Sequence, residues 1–288
     1  MGQTKTPAGM RIAFQGEPGA YSQLACKREF PAHETLPCPT FEDALTAIGD
    51  GQAALGMIPI ENSLAGRVAD IHHLLPESGL FIVGERFLRV RHQLMGLPAA
   101  RLEDLTTVLS HTHALGQCRK RIREMGLKAQ IAADTAGAAR LVAEAGDVSL
   151  AAIASELAAE IHGLKVLRAD MEDADHNTTR FVLLAAKPDD AEPGEGPVVT
   201  SLVFRTRNVP AALYKALGGF ATNGVNITKL ESYQIGGSFH ATQFFADIEG
   251  HPQDRLVRLA IEELGFFTSE MRVLGVYPAD PFRMAARG

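Results

Sequence analysis

The chain has 288 residues, of which 46% are hydrophobic and 22% charged, and a formal net charge of −6. That length suits about two globular domains. The acidic balance excludes a nucleic-acid surface, which needs a basic stripe, and no stretch approaches the ~20 apolar residues that span a bilayer. The first seven residues lead into no apolar core of a secretory signal, so a cytoplasmic location is expected. Cys26, Cys38 and Cys118 are odd in number, widely spaced and without metal-site spacing, which predicts reduced thiols and no metal.

The first predicted elements are an apolar strand at 12–15, the turn Gly16-Glu17-Pro18-Gly19 and a helix at 20–28. A helix at 41–48, an apolar strand at 53–60 and a helix through 75 follow. Strands are expected at 80–83, 90–96 and 108–110, then a helix to 125, a strand at 128–132 and an Ala-rich helix at 135–145. Strands at 150–154 and 166–169 flank another helix, and a strand at 181–185 closes the series. Regular alternation of strands and helices predicts an α/β architecture with largely parallel sheets.

Residues 187–197 are rich in Pro, Gly and acids and read as a linker. This divides the chain into a domain at 10–186 and a second at 198–278. The second is predicted as strand 198–205, helix 210–222, strand 226–235, a hairpin turn at Gly236-Gly237, strand 239–248, helix 252–264 and strand 271–277. That βαββαβ order is ferredoxin-like, with a small open sheet suited to pairing with another copy. The tail at 283–288 is patternless and expected to be mobile.

Four polar blocks carry the chemistry. Residues 176–184 place Asn177, Thr178, Thr179 and Arg180 before an apolar run, joining hydroxyl donors to a guanidinium fork that suits a carboxylate. Glu61-Asn62-Ser63 ends an apolar strand where a helix would begin; capping is the commoner use of such residues, and an anion site is the functional one. Ser110-His111 follows a strand, but adjacent residues do not make a nucleophile–base pair and no nucleophile elbow is present. The glycine turn at 16–19 lacks the ending of a phosphate loop. All four lie beyond the ends of strands, where open α/β sheets hold ligands.

On these residues the chain resembles the prephenate dehydratase family with a C-terminal ACT regulatory domain, from Arg11 to about Pro278. Thr179-Arg180-Phe181 matches the family's Thr-Arg-Phe signature, Glu61-Asn62-Ser63 its Glu-Asn-Ser block, and Ser110-His111 the start of its Ser-His-Pro-Gln block. Gly16, Pro18, Gly19, Tyr21 and Ser22 match its first glycine turn, and Glu231-Ser232 opens its ACT Glu-Ser-Arg-Pro motif. Thr112-His113 stands where the family has Pro-Gln, and Tyr233-Gln234 where it has Arg-Pro. Ala20 stands where the family often has Thr or Ser. Pro210-Ala211-Ala212-Leu213 occupies the place of its Gly-Ala-Leu-Val.

The resemblance implies a catalytic domain of two lobes around a cleft, like a type II solute-binding protein, followed by the ACT domain. It implies conversion of prephenate to phenylpyruvate, carbon dioxide and water without a cofactor, and feedback by L-phenylalanine in a homodimer or homotetramer. With no chorismate mutase domain ahead of the first strand, a monofunctional enzyme is expected. Carried over residue by residue, it assigns catalysis to Thr179, His111 and Ser110, and substrate binding to Glu61, Asn62, Ser63, Arg180 and Phe181. Effector contacts fall to Ala211, Ala212, Leu213, Asn223, Asn226, Glu231 and Ser232. The alternatives are an arogenate dehydratase, acting on the amino-acid form of the substrate, and a non-catalytic cytoplasmic sensor of an amino acid or anion.

Overall fold

The computed structural model describes residues 10–207, 209–234 and 241–285, without the side chains of 241 and 242. The expected hairpin turn at Gly236-Gly237 and the end of the tail at 286–288 lie outside the described residues. The chain opens with β1 (Arg11–Gln15), α1 (Tyr21–Glu29), β2 (Glu34–Cys38), α2 (Phe41–Gly49), β3 (Leu55–Asn62) and the short β4 (Gly66–Arg67). Then come α3 (Ala69–Leu74), a 3-10 turn at Leu75–Glu77, β5 (Phe81–Arg89) and β6 (Gln93–Gly96). After them run β7 (Thr107–Ser110), α4 (Thr112–Gln117), α5 (Arg119–Glu124), β8 (Lys128–Ile131), α6 (Thr135–Ala145), β9 (Leu150–Ala154), α7 (Glu156–His162), β10 (Lys165–Arg168) and β11 (Thr178–Ala185). The last part is β12 (Val198–Thr206), α8 (Ala212–Thr222), β13 (Ile227–Gln234), β14 (Ala241–Glu249), α9 (Arg255–Phe267), β15 (Thr268–Pro278) and α10 (Pro281–Ala285).

Local chemistry explains most boundaries. Thr40 and Asp43 form a reciprocal capping box at the start of α2. Asp134 and Ser155 accept backbone N–H bonds at the starts of α6 and α7, and both helices end on a left-handed glycine, Gly146 and Gly163. The single helix expected to reach 125 is instead two, broken at Cys118 (φ −110°, ψ 14°). Strand β2 was not expected, because Pro37 interrupts its pattern; it is an edge strand, where a proline costs no ladder bond. Strand β5 runs past the expected 83, through Gly84-Glu85-Arg86, whose polar side chains disguise it.

Three sheets result. One has the order β2-β1-β3-β11-β5 with β4 on β3, a second β10-β6-β9-β7-β8, and a third β13-β14-β12-β15. The expectation of largely parallel sheets in the first part holds around β1 and β7 and is corrected at β6. β1 pairs in parallel with β2 and β3, and β7 with β8 and β9, but β6 is antiparallel to both β9 and β10. The third sheet is antiparallel across β13–β14, β14–β12 and β12–β15, in the expected βαββαβ order.

Packing divides the chain into two compact units. Among the described residues, one contains 10–68 together with 87–181; the other contains 69–86 together with those from 182 to 285. The domains expected at 10–186 and 198–278 do not follow this division, since 69–86 pack with the C-terminal part. The reason is visible in five contacts of that unit. Tyr233 Oη lies 2.6 Å from His72 Nδ1, and Arg272 donates to the carbonyls of Pro76 and Leu80, both at 3.1 Å. Arg283 clamps the fully buried Glu85 at 2.6 and 2.9 Å. Gly275 lies so close to Ile82 that a Cβ there would run into the Ile82 carbonyl oxygen.

The expected linker at 187–197 is exposed and free of regular structure, yet it is fastened to the same unit. Ala191 N–H donates to Val276 O at 2.8 Å, and Asp190 accepts from Val276 N–H at 3.3 Å. The core of the βαββαβ part is Leu202, Phe204, Phe220, Phe244, Ile248 and Leu264. Burying each such side chain stabilises by about 1.5–3 kcal/mol.

Candidate active site

β3 and β11 lie side by side, and at residues 61–63 and 177–180, all in the unit of 10–68 and 87–181, they bring the Glu-Asn-Ser and Thr-Arg-Phe blocks together. Consecutive strand residues point to opposite faces, and this sorts the blocks into two groups. On one face Asn62 Nδ2 donates to Thr179 Oγ1 at 2.9 Å and to Asn177 Oδ1 at 2.8 Å. On the other, Arg180 Nη1 meets Glu61 Oε1 at 2.9 Å.

The first group extends inward. Asn177 Nδ2 donates to Gln117 Oε1 at 3.0 Å, and His92 Nε2 lies 2.8 Å from the same oxygen. His92 Nδ1 is 2.7 Å from Tyr21 Oη. Asn177 and His92 are buried, at 0% and 2% exposure. Burial holds the His92 imidazole below its ordinary range and the Tyr21 phenol well above its own, disfavouring the charged form of each. Thr179 is half-buried. Its oxygen accepts from Asn62, and none of the described residues accepts its proton. The Gln117 amide nitrogen likewise has no acceptor among the described residues. The site therefore presents neutral donors with a hydroxyl at one end.

The two sheets meet at the first glycine turn. Ser155 Oγ donates to Gly19 O at 2.6 Å, and a Cβ on Gly19 (φ +96°) would sit 2.8 Å from Ala158 Cα. Glycine is needed there for close approach rather than for a phosphate. Arg140 on α6 donates to Glu17 at 2.9 Å, and that bond draws the Glu17 carboxyl below its usual range.

Several expected site residues serve other ends. Arg180 was expected to act beside Thr179; strand alternation turns it to the opposite face, 2% exposed and paired with Glu61. Phe181 is 1% exposed and belongs to the core. Ser63 accepts from Thr178 N–H at 2.9 Å and donates to His176 O at 2.8 Å, continuing the β3–β11 ladder. Ser110 is fully buried and donates to Ile153 O at 2.6 Å, tying β7 to β9. His111 caps α4 by accepting from His113 N–H at 3.3 Å. Burial and the neighbouring His113 hold it below its ordinary range. It makes no hydrogen bond to the Asn62–Thr179 group.

Asn177, Gln117, His92 and Tyr21 were not expected at the site. In the sequence Asn177 reads only as a polar residue at the start of a strand. His92, between Arg91 and Gln93, and Gln117, at the end of Ala114-Leu115-Gly116, carry no local signal, and Tyr21 stands only as part of the first glycine turn.

The βαββαβ unit holds a pocket of ≈510 Å³, lined among others by Ala211, Ala212, Leu213, Leu230, Ser232 and Phe244. Ala211 adopts φ +60°, a left-handed conformation that favours glycine. Four of the expected effector residues are thus brought together. Three are not in the lining: Asn223 caps α8 through Gly219 O at 2.8 Å, Asn226 gives its carbonyl to Glu249 N–H, and Glu231 pairs with Lys229 at 3.1 Å.

A chain of amides ending on one hydroxyl, within a two-lobed α/β domain, suits a lyase acting on a small oxygen-rich substrate. The model of the prephenate dehydratase family matches residues 12–189. The chain is 54% identical to a bifunctional N-acyl-homoserine lactone acylase/prephenate dehydratase of Komagataeibacter europaeus, over 94% of this chain and 97% of that one. It is 38% identical to arogenate dehydratase/prephenate dehydratase 2 of Arabidopsis thaliana, over 94% of this chain and 73% of that one. A prephenate dehydratase of Arthrobacter aurescens, solved in complex with L-Phe, superposes with a TM-score of 0.84 at 28% identity, covering 96% of each chain. The chain belongs to the prephenate dehydratase family. It is a lyase of aromatic amino acid biosynthesis. No described helix is long and apolar enough to cross a membrane.

Proposed function

We propose that the Asn62–Thr179 face removes hydroxide and carbon dioxide from prephenate, with Thr179 as the group that assists the departing hydroxyl. The observation that carries this reading is the Thr179 oxygen, which accepts from Asn62 at 2.9 Å and keeps its proton for a ligand. The substrate is a doubly negative, non-aromatic ring with a hydroxyl opposite the leaving carboxylate. As the carbon–carbon bond to that carboxylate breaks, its electron pair enters the ring and the carbon–oxygen bond breaks. The ring becomes aromatic, which drives the reaction, and hydroxide leaves while accepting the Thr179 hydrogen bond. A threonine hydroxyl is a weak acid, so it acts by preorganised donation rather than full proton transfer. Asn62 strengthens that donation, because an oxygen that accepts one bond gives a better one. The Gln117 amide supplies N–H donors for a carboxylate. Arg180 and Glu61 support the two strands from behind.

Mixing the intact protein with prephenate and with arogenate, side by side, tests the reading and its near alternative. Phenylpyruvate from prephenate is the expected result. Turnover of arogenate alone would move the assignment to the amino-acid substrate, and turnover of neither would leave a binding protein.

The βαββαβ unit is read as an ACT domain whose ≈510 Å³ pocket takes L-phenylalanine. Titration calorimetry is expected to give saturable heat with phenylalanine, together with loss of dehydratase activity. Absence of heat removes the regulatory role and leaves the catalytic one.

A second reading follows from the 54% identity over nearly the whole chain to the bifunctional Komagataeibacter protein: cleavage of N-acyl homoserine lactones. Release of free homoserine lactone would support it, and none during complete conversion of prephenate would exclude it.

A further inference from the structure

The proton positions in the buried side-chain series can be worked out from one end. Asn62 Oδ1 faces the backbone N–H groups of Leu64 and Ala65 at 3.0 and 2.9 Å. Backbone N–H groups only donate, so the atom facing them is the oxygen, and the Asn62 nitrogen is the atom that faces Thr179 and Asn177. Asn177 therefore accepts through Oδ1 and offers its nitrogen to Gln117. Gln117 must turn its oxygen toward Asn177, and that same oxygen faces His92 Nε2. The imidazole proton is then on Nε2. Burial disfavours a second proton on the ring, which leaves Nδ1 to accept a hydrogen bond from the Tyr21 hydroxyl at 2.7 Å, a hydroxyl that also lies 3.2 Å from the Arg91 carbonyl. None of the three amides, Asn62, Asn177 or Gln117, can be inverted without setting donor against donor.

We propose that His92, held by Tyr21, is a positioning residue for the dehydration. It touches no substrate. Its Nε2–H and the Asn177 amide together hold the Gln117 oxygen inward, and this turns the Gln117 N–H groups outward as fixed donors for a substrate carboxylate. Tyr21 fixes the ring tautomer that makes this possible. Glu172, which accepts from the His92 backbone N–H at 2.8 Å, anchors the main chain independently of the ring. A ring substitution therefore leaves that anchor in place. The proposal rests on the reading of this face as the dehydratase site.

Three measurements test it. Nitrogen NMR on the ¹⁵N-histidine-labelled intact protein is expected to find one neutral, Nε2-protonated ring that disappears in His92→Gln. A charged ring at pH 7, or one protonated on Nδ1, overturns the tautomer and with it the proposal. Kinetically, His92→Phe, which loses the donor, is expected to lower kcat/KM about tenfold, the scale of one lost hydrogen bond. His92→Gln keeps an N–H at that position and is expected to recover most of the loss. In a Gln117→Leu background the two His92 variants should match their parent, because a residue acting through Gln117 has nothing left to position. An equal loss in both backgrounds, or full activity of His92→Phe, contradicts the proposal. Should His92→Phe fail to fold, the NMR result and the Gln variant still decide it. Failure of the wild-type protein to convert prephenate would instead overturn the dehydratase reading, while the tautomer could still be as derived.

Discussion

Thr179→Val is expected to lower kcat on prephenate by about 10²–10³-fold, with the fold intact and KM changed far less. Valine keeps the shape and strand preference of threonine on β11, so the substitution removes little beyond the hydroxyl. The lost hydroxyl does two things: it accepts from Asn62 at 2.9 Å and offers its own proton outward. A donor whose bond strengthens as charge develops on the leaving oxygen acts on the transition state more than on the bound substrate. Its removal therefore falls on kcat, at about 3 kcal/mol of barrier. Thr179→Ser should retain most of the rate, since the hydroxyl survives. A Thr179→Val protein that keeps wild-type kcat would remove Thr179 from the chemistry.

Arg283→Met is expected to destabilise the protein by roughly 3–5 kcal/mol, read as a fall in the denaturation midpoint. Arg283 lies on α10, in a tail that the sequence leaves without pattern. Its guanidinium donates to both oxygens of Glu85 at 2.6 and 2.9 Å and lies 3.9 Å from Asp247. Both carboxylates are fully buried. Asp247 also accepts from Ser201, whose hydroxyl contacts Tyr277 Oη at 2.7 Å. Asp280 N–H also donates to Glu85 at 3.1 Å, but taking the cation from a buried ion pair weakens the compensation of a buried charge, which costs more than an exposed pair is worth. Methionine preserves the apolar stem, so the loss measured is that of the guanidinium. An unchanged midpoint would mean that the clamp adds nothing to stability.

These two residues mark where the sequence is legible and where it is not. The α/β alternation of the first part and the βαββαβ order of the second follow from strands and helices of ordinary pattern. The helix Thr135–Ala145 begins and ends where its Asp cap and terminal glycine put it. Thr179 and Asn62 stand out as polar residues at the ends of apolar strands, and the structure brings them into contact. Arg180 stood out for the same reason, but adjacency in sequence means opposite faces once Thr178–Ala185 is a strand rather than a loop. Ser110 and Ser63 illustrate a second limit. A hydroxyl at a strand end serves a neighbouring backbone as readily as a ligand, and only coordinates tell which. The Asn177–Gln117–His92–Tyr21 series joins four separated segments, and no local pattern encodes it. The packing of 69–86 with the C-terminal part is hidden for the same reason, since Glu85 looks like a solvated acid until Arg283 is seen beside it.

The most direct measurement is the crystal structure of the inactive Thr179→Val protein with prephenate bound. The ring hydroxyl is predicted to face the residue 179 side chain at about the reach of a hydrogen bond in the wild-type protein, ~3 Å, with a carboxylate on the Gln117 amide. A substrate whose hydroxyl points away from residue 179, or which lies on the Glu61–Arg180 side of the sheet, would contradict the account.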